Sequence, residues 1–103
     1  MGLAAVFGVM SDPDRVRAHV LVSGRVQGVY YRASTRDAAR ERGADGWAQN
    51  LADGRVEAVF EADTEAVDAM CEWCETGSRA AEVDSVDVTM ETPEGIDGFE
   101  VRW

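Results

Sequence analysis

The stretch Ser23-Gly24-Arg25-Val26-Gln27-Gly28-Val29-Tyr30-Tyr31-Arg32 constrains this chain more than any other. It joins an alternating apolar run, Ala18-His19-Val20-Leu21-Val22, to an Ala- and Arg-rich run over residues 33–42 that reads as a helix. Two glycines four apart allow turn conformations that a Cβ would forbid. A bend of this kind can aim successive N–H groups at one point, which makes a concave anion site. Arg32, at the start of the helix, sits at the wrong end of the dipole for a cation. An anion held between the loop amides and the guanidinium accounts for that position, since Arg matches phosphate oxygens with two parallel N–H bonds. The plainer alternative is a strand-to-helix turn with a solvated Arg, and the loop alone does not choose between them.

The rest of the chain supplies the frame. Residues 1 to about 15 read as a poorly ordered extension, because Ser11-Asp12-Pro13-Asp14 is a loop signal and Met1–Met10 is too short to span a bilayer. Residues 16–103 read as one domain. Val20 and Val22 share one face of the first strand, so His19 is expected on the solvent side. Arg40 and Arg42 suit the end of the first helix, and Gly43 is its stop. Trp47–Leu51 is the second strand, Ala52-Asp53-Gly54 a tight hairpin, and Val56–Glu61 the third strand. Asp63 or Thr64 caps a second helix whose stripe Val67, Met70, Cys71 and Cys74 falls at helical spacing, and Gly77 ends it. Val83–Met90 alternates as a fourth strand, Thr92-Pro93-Glu94-Gly95 breaks it, and Phe99–Trp103 is a short fifth. The order βαββαβ plus a short β predicts a ferredoxin-like α+β sandwich: an antiparallel sheet with both helices on one face. Right-handed crossovers would put the first and third strands side by side at its centre.

Charge narrows the functional classes. The chain carries 20 acidic and 10 basic residues, a net charge of −10, and all 10 basic residues are Arg. Without Lys there is no Walker-type phosphate loop. The acidic excess argues against nucleic-acid partners and against an anionic membrane surface. A Lys-free acidic surface suits a salt-saturated cytoplasm, where concentrated salt screens self-repulsion. Cys71 and Cys74 raise a CxxC reading, but a zinc site needs further ligands and the single His, His19, is far away in sequence. Packing is the better account of both thiols. The sequence gives no secretory signal and no disulfide framework, so a cytoplasmic location is expected.

Gly24-Arg25-Val26-Gln27-Gly28-Val29 followed by Arg32 resembles the phosphate-binding loop of the acylphosphatase family. Gly46-Trp47-Ala48-Gln49-Asn50 with Asp53-Gly54-Arg55-Val56-Glu57 is similar to the family's second signature, and the resemblance covers roughly Arg17 to Trp103. Two positions depart from the pattern. Tyr31 replaces the usual Phe or Met and would put a hydroxyl beside the site. Ala62 replaces a Gly after the third strand, a position expected to concern a turn.

The resemblance implies hydrolysis of acyl phosphates without a cofactor or metal. Arg32 and Asn50 would be catalytic, and Arg25, Val26, Gln27, Gly28, Val29, Tyr30 and Tyr31 would form the phosphate loop. Arg25 and Gln27 are assigned structural or peripheral roles within it.

The residues are adequate for that chemistry. No Ser or Cys nucleophile with a neighbouring base stands in either motif, so no covalent intermediate is indicated. No general acid is needed when the leaving group is a carboxylate whose acid ionises near ~4. Phosphoryl transfer mainly requires positioning and charge neutralisation. Arg32 and the loop amides would neutralise, and Asn50 would accept a hydrogen bond from water and aim it at phosphorus. The expected partner is a small acyl phosphate substrate, with no nucleic acid and no membrane, and the protein is expected to be a monomer. Three alternatives remain: a ferredoxin-like module that binds anions without turnover, an RNA-binding sheet, and a domain cut from a larger carbamoyl-transferring maturation protein. The RNA reading lacks aromatics on the first strand and has the wrong charge.

Overall fold

A computed structural model describes residues 15–103, so the anticipated extension, Arg15 apart, lies outside the described residues. The elements run β1 (Arg15–Arg25), α1 (Tyr31–Glu41), β2 (Asp45–Asn50), β3 (Val56–Asp63), α2 (Thr64–Thr76), β4 (Glu82–Glu91) and β5 (Phe99–Arg102). One sheet has the order β4-β1-β3-β2-β5. The central pair is β1 and β3, antiparallel, as the crossover rule requires.

Alternation decides which face is buried. Ala18, Val20 and Val22 of β1 sit opposite Phe60, Ala58 and Val56 of β3, and all six are fully buried. They meet Ala38 and Ala39 from α1 and Val67, Met70 and Cys74 from α2, so both helices cover this one face. Each buried Val contributes about 1.5–3 kcal/mol relative to an exposed one. The α2 ends follow local chemistry. Asp63 Oδ1 accepts from the Ala66 N–H at 2.8 Å, and Gly77, at φ +70°, donates its N–H to the Trp73 carbonyl at 2.8 Å. Ala62 does not form a turn: it lies inside β3, buried, opposite Val16.

The sheet is mixed where an antiparallel one was expected, because β5 runs parallel to β2. The reason lies in the path between β4 and β5. The chain leaves β4 at one edge of the sheet and must reach the opposite edge, beside β2. Glu91, where β4 ends, pairs with Arg17, which also faces Glu61 and through it Asp45, the start of β2. Both points lie at one end of the sheet, so a strand entering there runs with β2.

A buried carboxylate anchors the crossing. Glu61 is fully buried and accepts from the backbone N–H groups of Glu94, Gly95 and Ile96 at 2.8, 3.0 and 3.2 Å. Arg17 pairs with Glu61 at 2.8 Å and with Glu91 at 2.8 Å. Burial pushes the Glu61 carboxyl up, but the three amides and Arg17 outweigh it and hold the carboxyl below its usual range. Asp45 accepts from Gly98 N–H at 2.9 Å and pairs with Arg15 at 2.7 Å.

His19 lies on the helix-free face as expected, its Nε2 2.6 Å from Glu57 Oε2.

Candidate active site

The loop between β1 and α1 has the backbone that its glycines permit. Gly28 is at φ +75° and Tyr30 at φ +60°, the one non-glycine positive φ among the described residues. For a bulky aromatic that conformation is strained, of order 1–3 kcal/mol, and persists where surroundings over-determine it. Tyr30 opens α1 with no side-chain cap, and Ser34 N–H makes the first return bond, to the Tyr30 carbonyl at 3.0 Å. Among the described residues, the N–H groups of Tyr31, Arg32 and Ala33 therefore find no acceptor. Unpaired amides at a helix start attract an anion.

Three side chains, through four hydrogen bonds, hold the loop in this shape. Gln27 Nε2 donates to the carbonyls of Leu51 (2.8 Å) and Arg55 (3.0 Å), tying the loop to the β2–β3 hairpin. Ser78 Oγ donates to the Val29 carbonyl at 2.7 Å. The Tyr31 hydroxyl donates to the Cys74 carbonyl at 2.8 Å, in the last turn of α2 where backbone acceptors are otherwise spare. The Tyr31 hydroxyl is thus turned into the core, not set beside the site as the sequence suggested. The ring is buried against Trp73 (5.6 Å between centroids) and over Gly77, where a Cβ would come within 2.3 Å of Tyr31 Cε2. Sequence reading did not single out Ser78, and only its neighbourhood reveals its part.

Arg32 and Asn50, eighteen positions apart, line one pocket of about 420 Å³ together with Val26, Gly28, Tyr30, Tyr31, Arg36, Val101 and Trp103. Arg32 leads the helix, while Asn50 is the last residue of β2. Arg32 Nη1 donates to the Arg102 carbonyl at 2.8 Å, and its Cζ lies 4.1 Å from the centre of the Trp103 ring. The guanidinium is thereby steered by the carboxyl-terminal strand, with an exposed ring as its platform. Among the described residues no Asp or Glu lines this pocket, in a chain of net charge −10. Two other predicted loop residues serve elsewhere. Arg25 ends β1, paired with Glu82 and exposed, and Val29 points into the core.

A larger hollow of about 550 Å³ lies beside Arg40, Asp45, Trp47 and Asp97. Its principal charges are already engaged: Arg40 donates to the Phe99 carbonyl, and Asp45 is paired with Arg15. Cys74 is buried and its thiol is pushed up to about 12, chiefly by that burial; Cys71 is only partly covered. A thiol so shifted is not a nucleophile near neutral pH.

Comparison with known proteins gives the chain its relatives. The family model for acylphosphatase matches residues 18–101. The acylphosphatase of Natronomonas pharaonis is 68% identical over 89 residues, covering 86% of this chain and 97% of that one. The acylphosphatase of Haloquadratum walsbyi is 67% identical over 88 residues, covering 85% and 95%. The solved structure of an acylphosphatase from Coxiella burnetii superimposes with a TM-score of 0.84 at 36% identity, covering 86% of this chain and 94% of that one. With the family model matched over nearly the whole described domain and full-length relatives at 67–68% identity, the chain belongs to the acylphosphatase family, as an enzyme that hydrolyses acyl phosphates.

Proposed function

We propose that Arg32 and the amides at the start of α1 hold the substrate phosphate, and that Asn50 orients the attacking water. The water donates one hydrogen to Asn50 Oδ1 and approaches phosphorus in line with the bond to the acyl oxygen. The new P–O bond forms as the old one breaks, and the acyl group leaves as its carboxylate anion. The proton released by the water passes to a phosphate oxygen or to solvent. A carboxylate departs unprotonated near neutral pH, so the site needs no general acid. Charge neutralisation and alignment are what remain to be supplied.

The observation that carries this reading is the composition of the pocket: two Arg, one Asn, unpaired amides and, among the described residues, no carboxylate. Nothing there serves as a nucleophile or a base, which favours direct attack by water over a covalent route. Such a site fits an enzyme that works without metal or cofactor, so activity should survive a chelator. We further infer a monomer in the cytoplasm. The two cysteines are free thiols, as a reducing compartment keeps them. No described helix is long and apolar enough to cross a membrane.

Phosphate affinity and acyl phosphate turnover, both measured in molar salt, test the two roles. Arg32→Ala should lose both, and Arg32→Lys should restore little, since an ammonium lacks the planar fork. Asn50→Ala should keep phosphate affinity and lose on the order of 10²-fold or more in rate. An Asn50→Ala variant as fast as the parent would refute the assignment.

A further inference from the structure

The pocket is larger than a phosphate requires, and its outer part has its own character. At about 420 Å³ it falls in the range of sites that enclose a whole small molecule. Beyond Arg32 and Asn50 its wall is Tyr30 (84% exposed), Val101, Trp103 (96% exposed) and a second cation, Arg36. Arg36 stands one helical turn after Arg32, about 6 Å further along the axis, so both side chains lie on one face of α1. Arg36 Nε donates to Asp37 Oδ1 at 3.1 Å, and among the described residues its terminal nitrogens have no partner. Asp37 lines the separate hollow beside Ser34, Trp73 and Ser78, not this pocket. A guanidinium whose terminal donors are unpaired among the described residues therefore lines the same pocket as Arg32, one helical turn away.

We propose that Arg36 is a specificity residue that binds a second anionic group on the acyl portion of the substrate. The preferred class is then acyl phosphates of short acids bearing a further carboxylate or phosphonate-like group, with Tyr30 and Trp103 flanking the connecting carbons. This rests on the reading of Arg32 as the phosphate-binding residue. In molar salt the screening length is about 3 Å, so the preference must arise from direct contact and not from long-range attraction. A planar donor pair suits such contact.

The test compares kcat/KM for acetyl phosphate, succinyl phosphate and 3-phosphonopropionyl phosphate in the parent, Arg36→Gln, Arg36→Lys and Asp37→Asn, all in molar salt. The parent should prefer both dianionic-acyl probes. For an exposed charged contact the advantage lost in Arg36→Gln should be roughly 3- to 10-fold, appearing in KM more than in kcat. Arg36→Lys should recover part of it, and Asp37→Asn, which frees Nε, should increase it. A preference for succinyl phosphate alone would define the group as a carboxylate; a preference for the phosphonate alone would define it as phosphate-like. Equal loss on all three probes, or an unchanged ratio in Arg36→Gln, overturns the proposal while leaving Arg32 and Asn50 in place. A parent whose turnover of all three probes survives Arg32→Ala defeats the underlying reading instead.

Discussion

Gln27 Nε2 is shared between the carbonyl oxygens of Leu51 and Arg55, at 2.8 and 3.0 Å. Leu51 follows Asn50 directly, so one side chain fixes the separation between the amide cradle and the residue proposed to aim the water. Gln27 is in that sense a positioning residue, the structural of the two roles, structural or peripheral, that the sequence leaves open for it. Gln27→Ala should lower kcat about tenfold or more, since small misplacements of reacting groups are costly, with a smaller effect on phosphate affinity. Stability should fall by about 1 kcal/mol. The check is a pair of steady-state and phosphate-titration measurements. Equal losses in kcat and phosphate affinity would show that Gln27 shapes the cradle itself.

The Tyr31 hydroxyl reaches the Cys74 carbonyl inside the core, and burial raises its pKa well above the ordinary phenol value. Tyr31→Phe leaves that carbonyl without its partner and should destabilise the fold by about 1–3 kcal/mol. The catalytic rate per folded molecule should change little, because the hydroxyl does not face the pocket. Urea unfolding paired with an acyl phosphate assay separates the two effects. A changed substrate preference with unchanged stability would put the hydroxyl back at the site.

Glu61 gives the fold a pH dependence of definite sign. Its folded pKa lies below its unfolded value of about 4.3, so its stabilising contribution is present above pH ~4.3 and is lost as pH falls through the lower folded value. Glu57, held down by His19 and Gln49 against the upward push of burial, adds a contribution of the same sign. Falling pH also relieves repulsion within a chain of net charge −10, which acts oppositely. Molar salt suppresses that repulsion and leaves the buried network exposed to view. In molar salt, unfolding free energy should decline below pH ~4.3, and Glu61→Gln should flatten that acid limb. An unchanged slope in the variant would remove Glu61 as its source.

Net charge predicts the response to salt. Twenty acidic residues against ten Arg should make the folded state gain stability as potassium chloride rises, levelling off near ~1 M, where the screening length is about 3 Å. The contact between Arg17 and the buried Glu61 should resist screening, so denaturation at low salt should spare this end of the sheet longest. Circular dichroism against salt gives the first result, and amide exchange in β1 and β3 the second. Equal stability in dilute and molar salt would end the salt-adaptation reading.

The sequence by itself determined what depends on near neighbours. Alternation at Val20 and Val22, the Asp63 cap, the Gly77 stop and the glycines of the first loop are local chemistry, and the fold keeps each of them. The resemblance carried by the two motifs also pointed to Arg32 and Asn50, and the fold brings both to one pocket. Tertiary structure decided what depends on residues meeting from afar. The direction of β5, the burial of Glu61 beneath residues 94–96, the inward turn of Tyr31 and the hold of Arg102 and Trp103 on Arg32 join positions 33 to 71 apart. A side chain such as Tyr31 can satisfy its hydroxyl in water, at a site or in a core. That choice is settled by which unpaired carbonyl the packed helices bring within reach, and no local pattern in the chain records it.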